Sequence, residues 1–349
     1  MLRRLSPRER ISLYVETWEP TIRAAFLAAI EDIRSRIVIR RVADALDRGD
    51  IGAALGAMNI DREAFGGLET AIADAFNAGG SMTAEDMNLR EPDGSRIVFR
   101  FGVRNPEAEN WVRDHSATLV TRIVDEQRDN IRSALAAGLA RGDNPTRTAL
   151  DIVGRVSRPN GSRTGGVIGL SAPHLSATEK ARQALGSGDS AGMRAYLSLE
   201  MRDRRFDRMV AKAIAEGRGL GADEVARITG RLSDSYLKLR GDTIARTETL
   251  TALNGSRNAA WRQAIASGKV DARFVTKTWR ATFDSRTRDT HAALHGKAVG
   301  FDSAFVSSSG ARLLYPGDPS APAHERIACR CTMEIKVDYT GQFLARRVN

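Results

Sequence analysis

Apolar side chains recur at helical spacing through the first quarter of the chain. One stripe, with intervals of three to five residues, comprises Leu13, Trp18, Ile22, Phe26, Ile30 and Ile33. Such spacing places the side chains on one face of a helix and predicts that this face is buried. A second amphipathic stretch runs from Phe65 to Phe76, and Gly79-Gly80 is expected to end it. We therefore predict an N-terminal helical region over residues 1–88.

The pattern changes after this region. Pro92-Asp93-Gly94 is typical of a turn, and residues 96–103 alternate in the way expected of a strand. Asn105-Pro106 predicts a helix start, with Asn as the N-cap and Pro at the first helical position. For residues 89–241 we predict a β-hairpin-like segment followed by long helices.

Glycine, serine and proline are frequent in residues 158–173, which predicts a flexible loop. Helical patterns precede this loop, where Asn144-Pro145 opens a helix, and resume after it. The later helical stretches cover residues 176–185, 190–216 and 222–266.

The last hundred residues combine helical and strand patterns. Residues 274–282 read as a strand, and residues 331–338 alternate apolar and polar side chains with period two. We predict an α+β module over residues 242–349. The expected fold class is mainly α, an extended helical body with this small C-terminal module.

Composition narrows the class of protein. The chain has 349 residues, 42% of them hydrophobic, which excludes wholesale disorder. No apolar run approaches the roughly 18 residues that cross a bilayer, so no membrane contact is expected. The first twenty residues lack the apolar core of a signal peptide, so we expect a cytosolic origin.

The charge is strongly positive, with a net value of +10, and all but seven of the 53 basic residues are arginines. Guanidinium groups suit phosphate and carboxylate partners, which favours a nucleic acid or an acidic protein surface. The alternative is a genome rich in arginine codons. The arginines are spread through helices without an aromatic RNA-binding signature, so the charge indicates proximity to DNA rather than sequence-specific recognition.

Four motifs follow one another near the C-terminus. They are IARTET (244–249), WRATFDSRTRDTHAALHG (279–296), YPGDPS (315–320) and CRC (329–331). In this order and spacing they resemble the phage Mu protein F-like, or phage head morphogenesis, minor head proteins over about residues 240–338. The sequence departs from the family in two places. Ala328 stands where Asn commonly precedes CRC, and Arg288 and His291 stand where some relatives carry Cys-x-x-Cys.

The resemblance implies a minor capsid protein that associates with the portal during head assembly. It implies no established catalytic reaction and no required cofactor. With the positive charge, it leads us to expect a virion protein on the inner capsid surface near the portal vertex, made in the host cytoplasm. The expected partners are the portal protein, a major capsid or scaffolding protein, and packaged DNA through non-specific contacts.

A zinc site is an open alternative for part of the motif set. His291 and His295 are four residues apart and would share one face of a helix, and Cys329 with Cys331 completes a His2Cys2 set. His324 is a substitute for His295. Gly296 weakens this prediction, because a helix is expected to end there, and the one-residue cysteine spacing is tight.

Without a metal, the same residues would be small buried thiols and a histidine bonded to Asp284 or Asp289. A disulfide across one residue would be strained. An enzyme would need a Cys329–His291 dyad, or a metal held by Asp284, Asp289 and His291 for phosphodiester chemistry. Asp and His in turns more often cap helices and hold loops, so we assign no catalytic residue.

Arg246, Arg280, Arg286 and Arg288 either bind phosphate or form ion pairs with nearby carboxylates, the latter being favoured by Glu248, Asp284 and Asp289 in the same segments. The two prolines and the glycine around Asp318 predict a rigid turn. We expect structural roles for the conspicuous motif residues: Arg246, Glu248, Trp279, Asp284, Arg288, Asp289, Gly296, Tyr315, Gly317 and Asp318.

Overall fold

The structure, a computed structural model, describes residues 5–90, 94–102, 106–157 and 161–348. Helices dominate this part of the chain and confirm the mainly α class. The helices that precede the first strand are α1 (Pro7–Arg36), α2 (Ile39–Asp47), α3 (Ile51–Gly56), α4 (Gly66–Asp86), α5 (Pro106–Ala140) and α6 (Pro145–Val153). Among the described residues, no helix combines the length and apolar character that crossing a membrane requires.

A short hairpin of β1 (Arg155–Val156) and β2 (Arg163–Thr164) precedes the next group of helices. These are α7 (Ala172–Ser187), α8 (Ser190–Ser198), α9 (Asp207–Ala215) and α10 (Ala222–Ala266). The predicted helix over residues 190–216 is therefore two helices. Leu199 and Asp203 have extended backbones between them, and a 3-10 turn follows at Arg204–Phe206.

The small C-terminal module mixes short strands and helices, as predicted. Its elements are β3 (Val275–Arg280), α11 (Asp289–Ala292), β4 (Ala298–Gly300), β5 (Phe305–Val306), β6 (Arg312–Leu313), α12 (Ala323–Arg326), β7 (Thr332–Val337) and α13 (Tyr339–Val348). β3 lies between β4 and β7 in an antiparallel sheet, with Trp279 opposite Met333. Val275, Lys277 and Trp279 alternate inward along β3, which confirms the strand periodicity.

The described chain forms two compact units, each built from separate stretches of sequence. The first unit comprises residues 1–24, 68–118 and 242–349, and the second comprises residues 25–67 and 119–241. The predicted boundary at residue 242 coincides with an edge of the first unit. Four helices of the described chain, α1, α4, α5 and α10, contribute residues to both units.

In the first unit, α4 continues through Gly79-Gly80, so the prediction that this pair ends the helix is wrong. A Cβ at Gly79 would lie 2.5 Å from Oγ of Ser256, and one at Gly80 would lie 2.0 Å from the ring of Phe101. The glycines permit close packing inside the helix. Nearby, the hydroxyl of Tyr14 donates to Ala75 O over 2.7 Å. Tyr14 is buried there, whereas Leu13, predicted for the buried stripe, is 54% exposed.

The predicted strand over residues 96–103 is wrong for its described part, since residues 94–102 contain no strand and only an isolated bridge joins Arg90 to Arg96. Ile97, Phe99 and Phe101 pack against a cluster around Trp261. The alternation therefore reflects one-sided packing of an extended segment without a neighbouring strand. Pro92, Asp93, Val103 and Asn105 lie outside the described residues.

In the second unit, the segment expected to be a flexible loop is anchored. Val167, Ile168 and Leu170 are buried, and the carbonyl of Leu170 accepts hydrogen bonds from Gln127 (2.8 Å) and Asn130 (3.0 Å). The glycines supply turns, while the apolar side chains between them enter the core. Residues 158–160 of the predicted loop lie outside the described part of the chain.

Candidate functional site

His291, Cys329 and Cys331 meet inside the C-terminal module. His291 lies on α11, and both cysteines lie in the irregular segment directly before β7. Nδ1 of His291 is 3.5 Å from the sulfur of Cys329 and 3.5 Å from that of Cys331. All three side chains are buried, and their potential ligand atoms lie within 4.8 Å of one another. Folding thus joins residues that are about forty positions apart in sequence.

Glu325 is the member of this site that sequence reasoning missed. Its carboxylate, with no exposed surface, accepts hydrogen bonds from Ser307 (2.9 Å), Thr290 (3.1 Å) and Ser309. Nε2 of His291 lies 2.8 Å from Oε2 of Glu325, although the ring N–H points away from the ideal hydrogen-bond line. The position directly after His324, four residues before Cys329, was the available signal.

The hydroxyls give the buried carboxylate the partners that a buried charge requires. Burial alone raises the pKa of Glu325, but the hydrogen bonds from Ser309, Ser307 and Thr290, with a contribution from His291, hold that pKa below its ordinary value. The site therefore contains an ionised carboxylate next to the imidazole.

The two thiols are electrostatically different. A hydrogen bond from Cys329 lowers the pKa of Cys331, burial opposes this shift, and His291 lowers that pKa further. The same thiol–thiol interaction, together with burial, raises the pKa of Cys329. The pair thus favours one thiolate held between a thiol and an imidazole. No disulfide joins them, since both cysteines are free.

Aromatic rings form one wall of the site. The ring of Trp279 meets that of His291 edge to face, with centroids 5.1 Å apart, and meets Phe305 in the same manner at 5.2 Å. Both Trp279 and Phe305 are buried in a cluster that also contains the two cysteines. The wall packs against the imidazole and contributes to the burial of both thiols.

Helix α10 holds the backbone that carries the cysteines. Ala328 N donates to Oγ1 of Thr247 over 2.9 Å, and Nδ2 of Asn254 donates to Cys331 O over 3.0 Å. Ala328 has a φ of 55°, in the left-handed region that Asn tolerates better than Ala does. This conformation favours Asn over Ala, in agreement with the Asn that the family resemblance implies at this position.

His295 does not join the other predicted ligands. α11 ends at Ala292, so the two histidines do not share a helical face. His295 is exposed; its Nδ1 accepts a hydrogen bond from Ala281 N over 3.2 Å and its ring contacts Phe283. His324, the suggested substitute, is also exposed. The structure therefore brings together three of the four predicted residues and leaves His295 apart.

The carboxylate expected to hold His291 is also different from the prediction. Asp284 pairs with Arg330 and accepts from Arg286 N over 2.9 Å. Asp289 is exposed at the start of α11. Glu325 takes the expected role, so the metal-dependent arrangement of Asp284, Asp289 and His291 does not form.

Ion pairs account for two of the four conspicuous arginines, with partners other than those predicted. Arg246 lies 3.0 Å from Glu19, and Arg280 pairs with Glu334. Glu248, the predicted partner of Arg246, instead has its Oε2 2.5 Å from Nε2 of the buried His115.

Arg288 donates to the carbonyl of Ile327, directly before Ala328. Its guanidinium therefore supports the backbone that leads into the cysteine segment.

The Tyr315–Ser320 turn is tied to the first unit's core. The hydroxyl of Tyr315 accepts a hydrogen bond from Nε1 of Trp111 over 2.9 Å, and Asp318 accepts from Leu314 N over 2.8 Å. Gly317, with a φ of 80°, lies against Thr251, where a Cβ would be 3.1 Å from its hydroxyl. These contacts agree with the structural role expected for the turn.

Comparison with known proteins identifies a family model that matches part of the chain. The family model described as "Phage Mu protein F like protein" matches residues 204–334, which include His291, Glu325 and both cysteines. This region of the chain is similar to the Mu protein F-like family. The resemblance inferred from the sequence motifs is confirmed over residues 204–334.

Two curated proteins illustrate the relationship. Minor head protein GP7 of Bacillus phage SPP1 is 35% identical over 137 residues, which are 37% of this chain and 40% of that protein. The uncharacterized protein YqbB of Bacillus subtilis (strain 168) is 29% identical over 102 residues, 28% of this chain and 31% of that protein. The chain thus spans less than half the length of these relatives. No solved structure matches it.

The side chains that meet in this site are of types that can bind a metal ion. Two sulfurs and one imidazole nitrogen lie within 4.8 Å of one another, a donor set that suits a soft or borderline metal ion such as zinc. A nucleophilic thiol must reach a substrate, yet Cys329 is 4% and Cys331 3% exposed. The geometry therefore favours binding within the fold over turnover.

Proposed function

We propose that this chain is a minor head protein that takes part in phage head morphogenesis. The observation that carries the proposal is the match of residues 204–334 to the Mu protein F-like family. The printed name of the SPP1 relative, a minor head protein, supports the same role. On this proposal the protein is a component of the virion.

A more specific proposal concerns the location of the protein in the virion and its binding partners. The chain binds the portal protein and the inner capsid surface, with a major capsid or scaffolding protein as a further partner. Its net charge of +10 supports weak, sequence-independent contact with packaged DNA. The C-terminal module serves as a rigid element of this assembly, without a catalytic step, and its buried thiols support that view.

Removal of the gene from the phage that encodes the chain tests the assembly role. We expect fewer infectious particles and heads of abnormal composition, and we expect the intact gene supplied in trans to restore both. Electron microscopy and mass spectrometry of purified particles provide the measurements. Normal, infectious heads that lack the protein would contradict the proposal.

The portal contact has a separate test. Co-expression of the chain with the portal protein of the same phage should give a complex that elutes together in size-exclusion chromatography. A mixture with bovine serum albumin is the control for non-specific association. Separate elution of chain and portal, while heads still require the gene, would overturn the portal contact and leave the assembly role standing.

A further inference from the structure

We propose that His291, Cys329 and Cys331 bind one zinc ion, and that Glu325 orients His291 for this purpose. The proposal is independent of the role in head assembly, because it rests on the interior of the C-terminal module alone. Each of the four residues is buried, and their side chains come from α11, α12 and the segment before β7.

The distances match a tetrahedral centre. Zinc–sulfur bonds of about 2.3 Å and zinc–nitrogen bonds of about 2.0 Å, at tetrahedral angles, place sulfur and nitrogen about 3.5 Å apart. Nδ1 of His291 lies 3.5 Å from the sulfur of each cysteine. Two edges of the coordination polyhedron are thus already present. The one-residue cysteine spacing, which looks tight in sequence, is compatible because both thiols face the same imidazole atom.

Glu325 supplies the outer partner that metal-bound histidines usually have. A histidine that binds metal through one nitrogen generally presents its other N–H to a carboxylate or carbonyl. Nε2 of His291 lies 2.8 Å from Glu325, on the side of the ring opposite the thiols. A carboxylate at this position favours the proton on Nε2, which leaves the Nδ1 lone pair facing the sulfurs.

The hydroxyls of Ser307, Ser309 and Thr290 fix Glu325 in turn. A carboxylate held by three hydroxyls gives the histidine a fixed outer partner. The protein therefore provides both the metal ligands and the residues that orient His291.

Three protein ligands leave one tetrahedral position, which we assign to a water molecule. The two cysteines bind as thiolates, so any thiol protons are released to solvent when zinc enters, and no oxidant or reductant is involved. His291 binds as the neutral imidazole. The metal joins α11 to the segment before β7.

Metal analysis of the full-length protein, purified without chelators, tests the proposal. We expect one zinc per chain by mass spectrometry, and X-ray absorption at the zinc edge should show two sulfur ligands with nitrogen or oxygen completing the shell. The Cys329→Ser/Cys331→Ser variant should lose the metal. His295→Ala is the matched control and should retain it, because His295 lies outside the cluster.

Glu325→Gln measures the orienting role separately. We expect zinc to remain bound with an affinity lower by about 10–100-fold, measured by competition with a chromogenic chelator. An unchanged affinity would overturn the role of Glu325.

Cobalt provides a readout that does not depend on variants. Added Co2+ should give the wild-type chain thiolate-to-metal absorption in the near ultraviolet and the visible bands of a tetrahedral site. A folded wild-type chain that contains no zinc and gives neither absorption would overturn the zinc site, whether or not the cysteine variant folds. Loss of zinc in His295→Ala would overturn the three-ligand assignment.

Discussion

A buried arginine of α10 helps to hold irregular backbone in the second unit, whereas two neutral side chains of α10 bond to the cysteine segment in the first. In the second unit, Nη1 of Arg240 donates to the carbonyls of Gly169 (3.0 Å) and Leu170 (2.7 Å), and its Nη2 lies 2.6 Å from Glu126. In the first unit, Thr247 and Asn254 bond the segment that carries the cysteines. The same helix, α10, supplies both kinds of anchor.

The difference shows that a basic composition need not give an equally basic surface. Arg240 is 8% exposed and Arg34, which donates to Ile168 O, is 2% exposed. Their forked donors satisfy loop carbonyls that water cannot reach. These arginines serve the fold, so the basic character of the surface depends on the other, exposed ones.

Replacement of the charged anchor should have the largest effect. Arg240→Met leaves Gly169 O without this donor and Glu126 without its ion-pair partner. We expect a loss of about 3–5 kcal/mol in the free energy of unfolding, measured by urea titration with circular dichroism. Arg40→Met is the control. Arg40 is 90% exposed and 3.9 Å from Asp44, so its loss should cost less than about 1 kcal/mol. Equal effects would remove the distinction between buried and exposed arginines.

Replacement of the neutral anchor, Asn254, should lower the free energy of unfolding by a smaller amount. Asn254→Ala removes the donor to Cys331 O and leaves a buried carbonyl unsatisfied, which we expect to cost about 1–3 kcal/mol of unfolding free energy. The same urea titration gives the value. A loss as large as that of Arg240→Met would contradict the contrast between charged and neutral anchors.

One charged anchor in the first unit allows a test by pH. Lys277 is fully buried and its Nζ donates to Leu314 O over 2.7 Å. Burial, with help from Arg262, lowers its pKa from 10.5 to about 8, while Asp302 and Asp318 oppose the shift. Above about pH 8 the folded lysine loses its proton while the unfolded one keeps it, so stability due to this group rises until about pH 10.5.

The stability difference between wild type and Lys277→Met should therefore shift in favour of wild type by about 2 kcal/mol between about pH 7 and pH 9.5. The comparison cancels other titrating groups common to both proteins. Urea titrations at the two pH values provide the measurement. A difference independent of pH would show that the buried amine keeps its ordinary pKa.

The smallest effect concerns the strained residue before the cysteines. Ala328→Asn should raise the unfolding free energy by about 0.5–1 kcal/mol, because Asn adopts a positive φ at lower cost. Ala136→Asn, on the exposed face of α5, should lower it by about 0.5 kcal/mol through helix propensity. Thermal unfolding of both variants gives the signs. A destabilising Ala328→Asn would exclude strain as the reason for the family preference.

Sequence reasoning succeeded where local pattern decides the structure. The strand around Trp279 and the helix opened by Asn144 follow from alternation and capping, and Asn144 does accept from Arg147 N. It failed at Gly79-Gly80 and at residues 96–102. There the outcome depends on distant side chains, Ser256 and Trp261, which the local pattern does not contain.

The residues of the candidate site also fall into those that the sequence could identify and those that it could not. Cys329 and Cys331 were identifiable because they are the two cysteines of the sequence, and His291 because it lies in a recognisable family motif. Glu325 was not, since an isolated glutamate on a four-residue helix resembles any surface carboxylate. Likewise, only the end of α11 at Ala292 separates His295 from the cluster.

The sequence by itself determined the helical class, the family resemblance and the two cysteines, because periodicity, motif order and residue type are local properties. The tertiary structure decided which carboxylate supports His291, which histidine meets the thiols and which arginines are buried. Those choices depend on the packing of α11, α12 and the segment before β7, residues that are distant in sequence. Proximity of that kind arises only when the chain has buried its core.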